Sequence, residues 1–483
     1  MNVVDPKLID VINSQEEYIK KLEELLKNLE DSNKLKDEII KNQKTQIVKD
    51  YRNSSKPSSA TPNHPTIKNG RIKSGKLKGG QKGHEGHPRK NPSADQIIHI
   101  NDLPEEVKAN PEDYVLLDRR KSRKVVGVKV VREVIEFQVP IWKNIKTGAL
   151  VYGQFPVNCV NEVNYDESVK AFLMVLTCHL NVSIRKAQEF IHNISEGDIV
   201  VSTGTICNLR KEFKKKSKKE RDQIWNRLFH SPYMGSDTTF TRIQGRTGYI
   251  GIHCNDSDIY FRAGEKKGEN LVTGTPLDGY QGVSVHDGEA VYSNHGLAHQ
   301  QCLVHLFRYL RGAMEAEPEL IWHKEAYDFL QEQTRKIETR KKERRESGHP
   351  IKIGDQVLSQ EEIDQARARY VEIMELAKQE YPERPAVYVD GFNTAKRMAK
   401  QQESILYFLD HPWVPWHNNE SERGARAVKR KTKQSDGFKS LEGAEEVTAF
   451  LTIVESARKK GENVYYNFPN VWNYIRCQPT GSG

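Results

Sequence analysis

Three carboxylates stand out for the chemistry they could do together: Asp237, Asp287 and Glu422. Asp237 lies inside Tyr233-Met-Gly-Ser-Asp-Thr-Thr-Phe-Thr241, a strand candidate, and Asp287 ends Gly282-Val-Ser-Val-His-Asp287, another. Glu422 sits in His417-Asn-Asn-Glu-Ser-Glu-Arg-Gly-Ala-Arg426, which opens a helical pattern that turns basic at once. Hard divalent cations need oxygen ligands, and Mg2+ takes a few protein carboxylates plus substrate phosphate oxygens. Two such ions about 3.5–4 Å apart activate a water or a 3′-hydroxyl and stabilise the leaving oxygen of a phosphodiester. In that arrangement Asp287 bridges both ions, and Asp237 and Glu422 each complete one. Neighbouring acids fit less well. Asp256 and Asp258 fall in an expected turn, Glu289 faces elsewhere, and Glu420 lies on another helix face. Glu422 has an ordinary reading as well. Asn419 could cap the helix with Glu422 reaching back to its amide, or Glu422 could pair with Arg426 one turn later.

The elements that must bring these acids together follow a definite order. After Tyr233–Thr241 come two further short strands, Thr247–His253 and Asp258–Arg262, then a brief helix over Lys267–Gly274. The strand ending at Asp287 follows, and His299–His305 reads as a fifth that leads into a helix from Leu306 to Glu315. Three strands, a helix and two more strands is the order of a ribonuclease-H-like α/β core, expected over residues 231–315 and 405–460. The second and third acids are 135 residues apart, so an all-helical insertion is expected over 316–404. Its run Thr334–Glu346 is almost continuous Lys, Arg and Glu, the pattern of solvated helices.

Upstream, residues 1–50 form an expected coiled-coil region, read as one helix over 6–50 with a heptad seam through Ile12, Ile19, Leu26, Asn33, Ile40 and Ile47. Leu22 and Leu29 alternate with it at coiled-coil spacing, which predicts a homodimer or higher oligomer, and a polar Asn33 on the seam can fix register. Gln15, Lys36 and Gln43 on the same seam make the coil imperfect, and a helix lying on its own chain is the alternative. Residues 51–93 lose periodicity and form a Gly- and Pro-punctuated basic arm, expected to track a DNA backbone through Lys76, Lys78, Lys82 and Arg89. Residues 94–160 contain Val125–Val131 and Val134–Val139, alternating and β-branched, which predicts a small β-rich domain. Residues 161–230 are helical, with a core helix over Ser168–Asn181, a helix over Ile184–Ile194, and a final basic helix over Ser202–Lys219. A helix-turn-helix-like region is expected there, with Lys211, Lys214, Lys215 and Lys218 facing DNA. Arg426, Lys429 and Arg430 extend the basic surface beside Glu422.

Net charge is +9, and residues 51–90 hold ten Lys/Arg against one acid, so a polyanion partner is expected. The six cysteines form no C-x-x-C pair, which argues against a zinc ribbon or a disulfide framework and fits a reducing cytosol. No apolar run of about 18 residues exists, so no membrane span is expected, and no signal peptide is apparent. The last residues, Gly481-Ser-Gly483, read as an appended scar of a tail over 461–483.

The segment from Leu406 to Arg426 resembles the third catalytic block of the IS66 family of insertion-sequence transposases, which carry Asp-Asn-Asn, two residues, Glu-Arg, then Ala and Arg. Ser236-Asp237-Thr238 resembles the first block, Asp-Glu-Thr-Pro. His286-Asp287-Gly288 with Tyr292 resembles the second, and Cys302-Leu-Val-His305-Leu-Phe-Arg308 the Cys-x-x-His-x-x-Arg that follows it. Lys78 to His84 resembles the family's basic arm. The resemblance implies a DDE transposase that uses two Mg2+ (or Mn2+) ions at Asp237, Asp287 and Glu422. Such an enzyme cuts double-stranded DNA at the ends of its element and joins the freed 3′-hydroxyl to target DNA in a prokaryotic cytoplasm, with or without element-encoded accessory proteins. It implies supporting roles for His305, Asn418, Asn419 and Arg423. There are departures: Thr238 stands for the usual Glu, His417 for the usual Asp, and no cysteine occurs over 96–157, where the family has a zinc module, so no zinc is expected. Cys302 and His305 read as strand-end packing beside Asp287. These departures leave two other readings open: an inactive DNA-binding derivative, and a nuclease without strand transfer.

Overall fold

The computed structural model describes residues 6–49, 53, 92–100, 102–118, 121–126, 133–156 and 159–463. The basic arm with Lys76, Lys78, Lys82 and Arg89, most of Val125–Val131 and the tail beyond 463 lie outside the described residues. The chain begins with one helix, α1 (Pro6–Val48), as the heptad pattern predicts. Its seam faces solvent: Ile19 is 53% exposed, Leu26 59% and Ile47 82%. Among the described residues, the C-terminal part of α1 is tied to the rest of the chain by Lys41 on Glu319 (2.5 Å), Lys49 on Asp390, and the Ala386 amide on Glu38 (3.2 Å).

A short helix α2 (Glu105–Ala109) and a hairpin of β1 (Ile141–Lys143) and β2 (Leu150–Tyr152) follow. Val134–Val139, expected as a strand, is not one. Alternation specifies a strand only where a partner edge and a core receive it, and Val134 is 75% exposed with neither. Next, α3 (Glu167–Met174) is capped by Asp166, which accepts from the Val169 amide (3.1 Å), and widens into a π-turn over Val175–His179. The helix α4 (Ile184–Ile194) matches its expected bounds. The predicted basic helix is two helices, α5 (Thr203–Lys216) and α6 (Lys218–Phe229). The break at Ser217 is held because Arg221 of α6 donates to the Lys214 carbonyl (2.6 Å) and to Ser217 Oγ (3.2 Å), satisfying the end of α5.

The central sheet contains β3 (Tyr233–Ile243), β4 (Arg246–Cys254), β5 (Ile259–Gly264), β6 (Val283–His286) and β7 (Ala298–Gln301) in the order β5-β4-β3-β6-β7. The first three are antiparallel, and β6 and β7 run parallel to β3. The fifth strand stops at Gln301, short of the expected His305. Cys302 leaves the strand, and Leu303 already opens α7 (Leu303–Ala316). After α7 come α8 (Trp322–Glu346), α9 (Gln360–Glu380), α10 (Asp390–Lys400) and α11 (Gln402–Asp410). They build a second apolar core around Trp322, Phe329, Tyr370, Met398 and Phe408, and α7 and α11 belong to it. Finally α12 (Asn419–Ser435) crosses β3 and β4, and α13 (Leu441–Lys459) covers β5. Their apolar faces join Ile250, Ile252, Phe261, Phe213 and Leu228 in the larger core. Gly424 lets α12 lie close, since a Cβ there would stand 2.5 Å from Ile259 Cδ1.

Candidate active site

Sheet register brings the first two acids level. In the parallel pair β3/β6 the last paired residues are Gly235 and Val285. Asp237 and Asp287 are each two residues further on, so they stand level on neighbouring chain segments, which are spaced by about 4.8 Å in a sheet, with Asp237 still paired to Ile252 of β4. Asp237 is on β3, and Asp287 follows the last residue of β6.

Glu422 reaches the same place through α12. Asn418, just before the helix, is buried. Its Nδ2 donates to the Ser236 carbonyl (2.6 Å), its Oδ1 accepts from Ser421 Oγ (2.8 Å), and its backbone N–H donates to Cys302 Sγ (3.2 Å). The start of α12 is thereby fixed beside the residue that precedes Asp237. Glu422 is one turn further along, on the same helix face as Asn418. Gly235 supplies the room, because a Cβ there would lie 2.5 Å from Asn418 Oδ1 and 2.9 Å from Ser421 Oγ. The capping reading of Glu422 does not hold. Asn418, not Asn419, occupies the N-cap position, it makes no side-chain cap bond, and Glu422 Oε1 is buried without a hydrogen-bond partner.

Electrostatics register the convergence. Burial pushes the Asp237 carboxyl up, and the charges of Asp287 and Glu422 push it further, to about 7; the Thr238 amide (2.8 Å) and Lys429 pull the other way. Three acids that repel one another, one of them with an unpartnered oxygen, form an oxygen donor set that suits a hard cation. Asp237, Asp287 and Glu422 offer donors of that class, but among the described residues they are not a group whose ligand atoms all lie within 4.8 Å of one another. Around them stand His305, whose Nε2 is 3.9 Å from Glu422 Oε1, and Arg397 of α10, which stacks on Tyr309 (4.5 Å) and whose Nη1 would lie 4.0 Å from a Cβ on Gly288. Burial lowers the His305 pKa, Asp287 opposes this, and Arg308 adds to it.

Of the expected supporting residues, His305 and Asn418 are at the site. Asn419 opens α12 half-buried. Arg423 is exposed and pairs with Glu420 (2.5 Å), which in turn takes Lys459 (2.7 Å). Thr238, one of the two departures, hydrogen-bonds Tyr292 Oη (2.5 Å), and His417 packs against Trp416 with ring centroids 4.8 Å apart. Neither displaces an acid. Sequence reasoning missed Ser421, Gly235 and Arg397. Ser421 and Gly235 flank named residues at places where only close packing makes them matter. Arg397 returns from a helix 110 residues after Asp287, and no local pattern marks it.

The lysines expected to face DNA divide into two groups. Lys211 and Lys214 are engaged by α13, on Glu442 (3.6 Å) and Glu445 (2.5 Å). Lys215 and Lys218 line an open groove with Lys216 and Lys219, and Lys218 also meets Asp222 (2.5 Å). Arg426, Lys429 and Arg430 are exposed along one face of α12.

The sequence pattern of the family described as Transposase IS66 family matches residues 162–446, from α3 into α13. A second, described as a family of unknown function (DUF6444), matches residues 5–90. No curated protein matches the chain. The chain belongs to the IS66 transposase family. It is an enzyme of the DDE-transposase class, a DNA-binding polynucleotidyl transferase with a metal-dependent mechanism. Among the described residues, no helix is long and apolar enough to cross a membrane.

Proposed function

We propose that Asp237, Asp287 and Glu422 are the catalytic acids and hold a pair of Mg2+ (or Mn2+) ions against the scissile phosphate at the element's ends. The observation that carries this reading is the β3/β6 register, which sets Asp237 and Asp287 level while Asn418 holds the start of α12, and with it Glu422, beside β3; the raised Asp237 carboxyl agrees. The strand order β5-β4-β3-β6-β7, with the acids on the two central parallel strands, supports a ribonuclease-H-like core. When bound, the ions activate the attacking oxygen and neutralise charge on the leaving one.

The chain's own residues do the rest. Asn418 and Ser421 hold Glu422 at its station over β3. Half-burial where β3, the end of β6 and α12 meet keeps the acids preorganised and limits water. Arg426, Lys429 and Arg430 bind the duplex backbone beside the acids, with the arm over 51–93 and the groove at Lys215 and Lys218 as further contacts. The exposed seam of α1 supports self-association as a coiled coil.

The test is metal-dependent cleavage and strand transfer on DNA carrying the element's own ends. Asp287→Asn should reduce both by at least about a hundredfold, the scale of losing a charge-stabilising group. Full activity in Asp287→Asn would refute the assignment. Cleavage without joined products would instead indicate a nuclease.

A further inference from the structure

Cys302 and His305 read from sequence as packing at a strand end, and no zinc was expected of the chain. The structure adds a third donor. One ligand atom each from Cys302, His305 and Glu422 lie within 4.8 Å of one another, and this is the one such cluster among the described residues. We propose that Cys302, His305 and Glu422 bind a zinc-class transition-metal ion at a position distinct from the one shared by the three carboxylates.

The geometry follows from the turn out of β7. Cys302 precedes α7 and His305 lies in its first turn, so the two side chains project from one face three residues apart. The Asn418 N–H bond to Cys302 Sγ brings the start of α12, and with it Glu422, over that face. Zn2+ bonds sulfur at about 2.3 Å and nitrogen or oxygen at about 2.0–2.2 Å, which places its ligand atoms roughly 3.3–3.8 Å apart. The His305–Glu422 approach of 3.9 Å is already close to that. Glu422 Oε1, the atom that His305 Nε2 approaches, is buried without a hydrogen-bond partner, as is the other ring nitrogen, His305 Nδ1. The third, Cys302 Sγ, is buried, which pushes its thiol up to about 11 against the opposing Asn418 N–H, so its proton leaves only as the ion binds.

Donor chemistry separates the two positions. Thiolate and imidazole select the zinc class, whereas an all-carboxylate set selects Mg2+ or Mn2+. On binding, the Cys302 thiol proton leaves to solvent, sulfur, imidazole and carboxylate take three positions, and water takes the fourth. Glu422 is common to both sets. It follows, if the function proposed above is right, that a zinc-class ion draws Glu422 away from the catalytic pair and inhibits the enzyme.

The experiment is a Co2+ titration of the full chain after chelator treatment, followed by near-ultraviolet absorption. A thiolate-to-cobalt charge-transfer band should saturate at one equivalent and disappear on adding Zn2+. Cys302→Ser should abolish it, Glu422→Gln should weaken Co2+ at least tenfold, and Asp237→Asn should leave it intact. Circular dichroism checks that each variant is folded. No band in the folded wild-type chain, or a band that survives Cys302→Ser, overturns the site. This readout does not depend on DNA cleavage, so active Asp287→Asn would remove the proposed function and leave the cobalt result standing. In the cleavage assay, Zn2+ should inhibit the wild type at least tenfold more potently than Cys302→Ser, each measured against its own zinc-free rate. Equal inhibition would refute the competition.

Discussion

A single methyl group at Gly235 offers a sharp test of how the third acid is held. Gly235 is a strand residue of β3 without a positive φ, so alanine costs nothing there in backbone conformation. The new Cβ would meet Asn418 Oδ1 at 2.5 Å, against about 3.4 Å for ordinary contact, so Asn418 must retreat by roughly 0.9 Å. Its side chain has no free direction in which to swing, because Nδ2 is bound to the Ser236 carbonyl and Oδ1 to Ser421. Either α12 moves off β3, or Asn418 turns away and leaves buried polar groups without partners. Overpacking of this kind costs about 1–3 kcal/mol. The effect on catalysis should be larger, since a displacement near 1 Å at a catalytic group costs about a hundredfold. Gly235→Ala should therefore stay folded, with a modestly lower unfolding midpoint, while single-turnover cleavage at saturating Mg2+ falls by about a hundredfold. A cleavage rate within twofold of wild type would show that Asn418 does not set the position of Glu422.

Other consequences follow from particular contacts. Asp258 is a buried carboxylate held by Arg227 (2.8 Å, two bonds) and Lys460 (2.8 Å). Burial pushes its pKa up, but these partners outweigh that and hold it below the ordinary value of 3.8. A depressed carboxylate contributes stability that is complete above the unfolded pKa and is lost as pH falls through the folded one. Urea unfolding should thus show Asp258→Asn to be about 2 kcal/mol less stable at pH 7, discounted because both partners are partly exposed, with the gap closing as pH falls below the ordinary carboxylate value of 3.8. Lys431 is buried and donates to the Thr177 carbonyl (2.9 Å) at the π-turn, so Lys431→Ala should cost about 2 kcal/mol by the same measurement, and no loss would dismiss that bond. For DNA, the triple change of Arg426, Lys429 and Arg430 to Ala should lower the slope of log affinity against log salt by about three. Replacing Lys211 and Lys214, already paired with Glu442 and Glu445, should barely change it. Equal slopes for the two sets would contradict the surface assigned to DNA.

Much of the sheet could be read from sequence because each of its strands is strongly patterned and bounded by turns. The strand starts at Tyr233 and the end of β6 beside Asp287 fell where alternation put them, and α4 matched to the residue. The misreadings share one cause, which is that a contact outside the misread segment decides its end. His299–His305 reads as one strand because Cys302-Leu-Val304 extends it, yet the helix begins at Leu303, whose N–H finds the Trp416 carbonyl (3.0 Å) instead of a strand neighbour. Ser202–Lys219 reads as one helix until Arg221 folds back to close α5. Val134–Val139 has the composition of a strand, but nothing pairs with it. At the site, the acids were legible as residue types in an ordered set of blocks. That Cys302 is bound to the amide of Asn418, more than a hundred residues later, could not be.

That bond and its neighbour explain how so long a helical stretch can separate two acids that must meet. The chain departs from the sheet at Cys302 and Leu303 and returns at Trp416 to Asn418. The Leu303 N–H to the Trp416 carbonyl and the Asn418 N–H to Cys302 Sγ pin departure and return to one point. Closing a loop costs only about 0.6 kcal/mol more for each doubling of its length, so the size of the excursion matters little once its ends are fastened. The excursion is also self-supporting, since α7 to α11 bury Trp322, Tyr370 and Phe408 among themselves. The station of Glu422 is then set by contacts at the neck, Ser236, Cys302, Asn418 and Ser421, and not by the helices beyond it. What those helices return to the site is charge, as Arg397 comes back from α10 to the turn at Gly288. The neck fixes where the carboxylates stand, and the excursion contributes to the field they stand in.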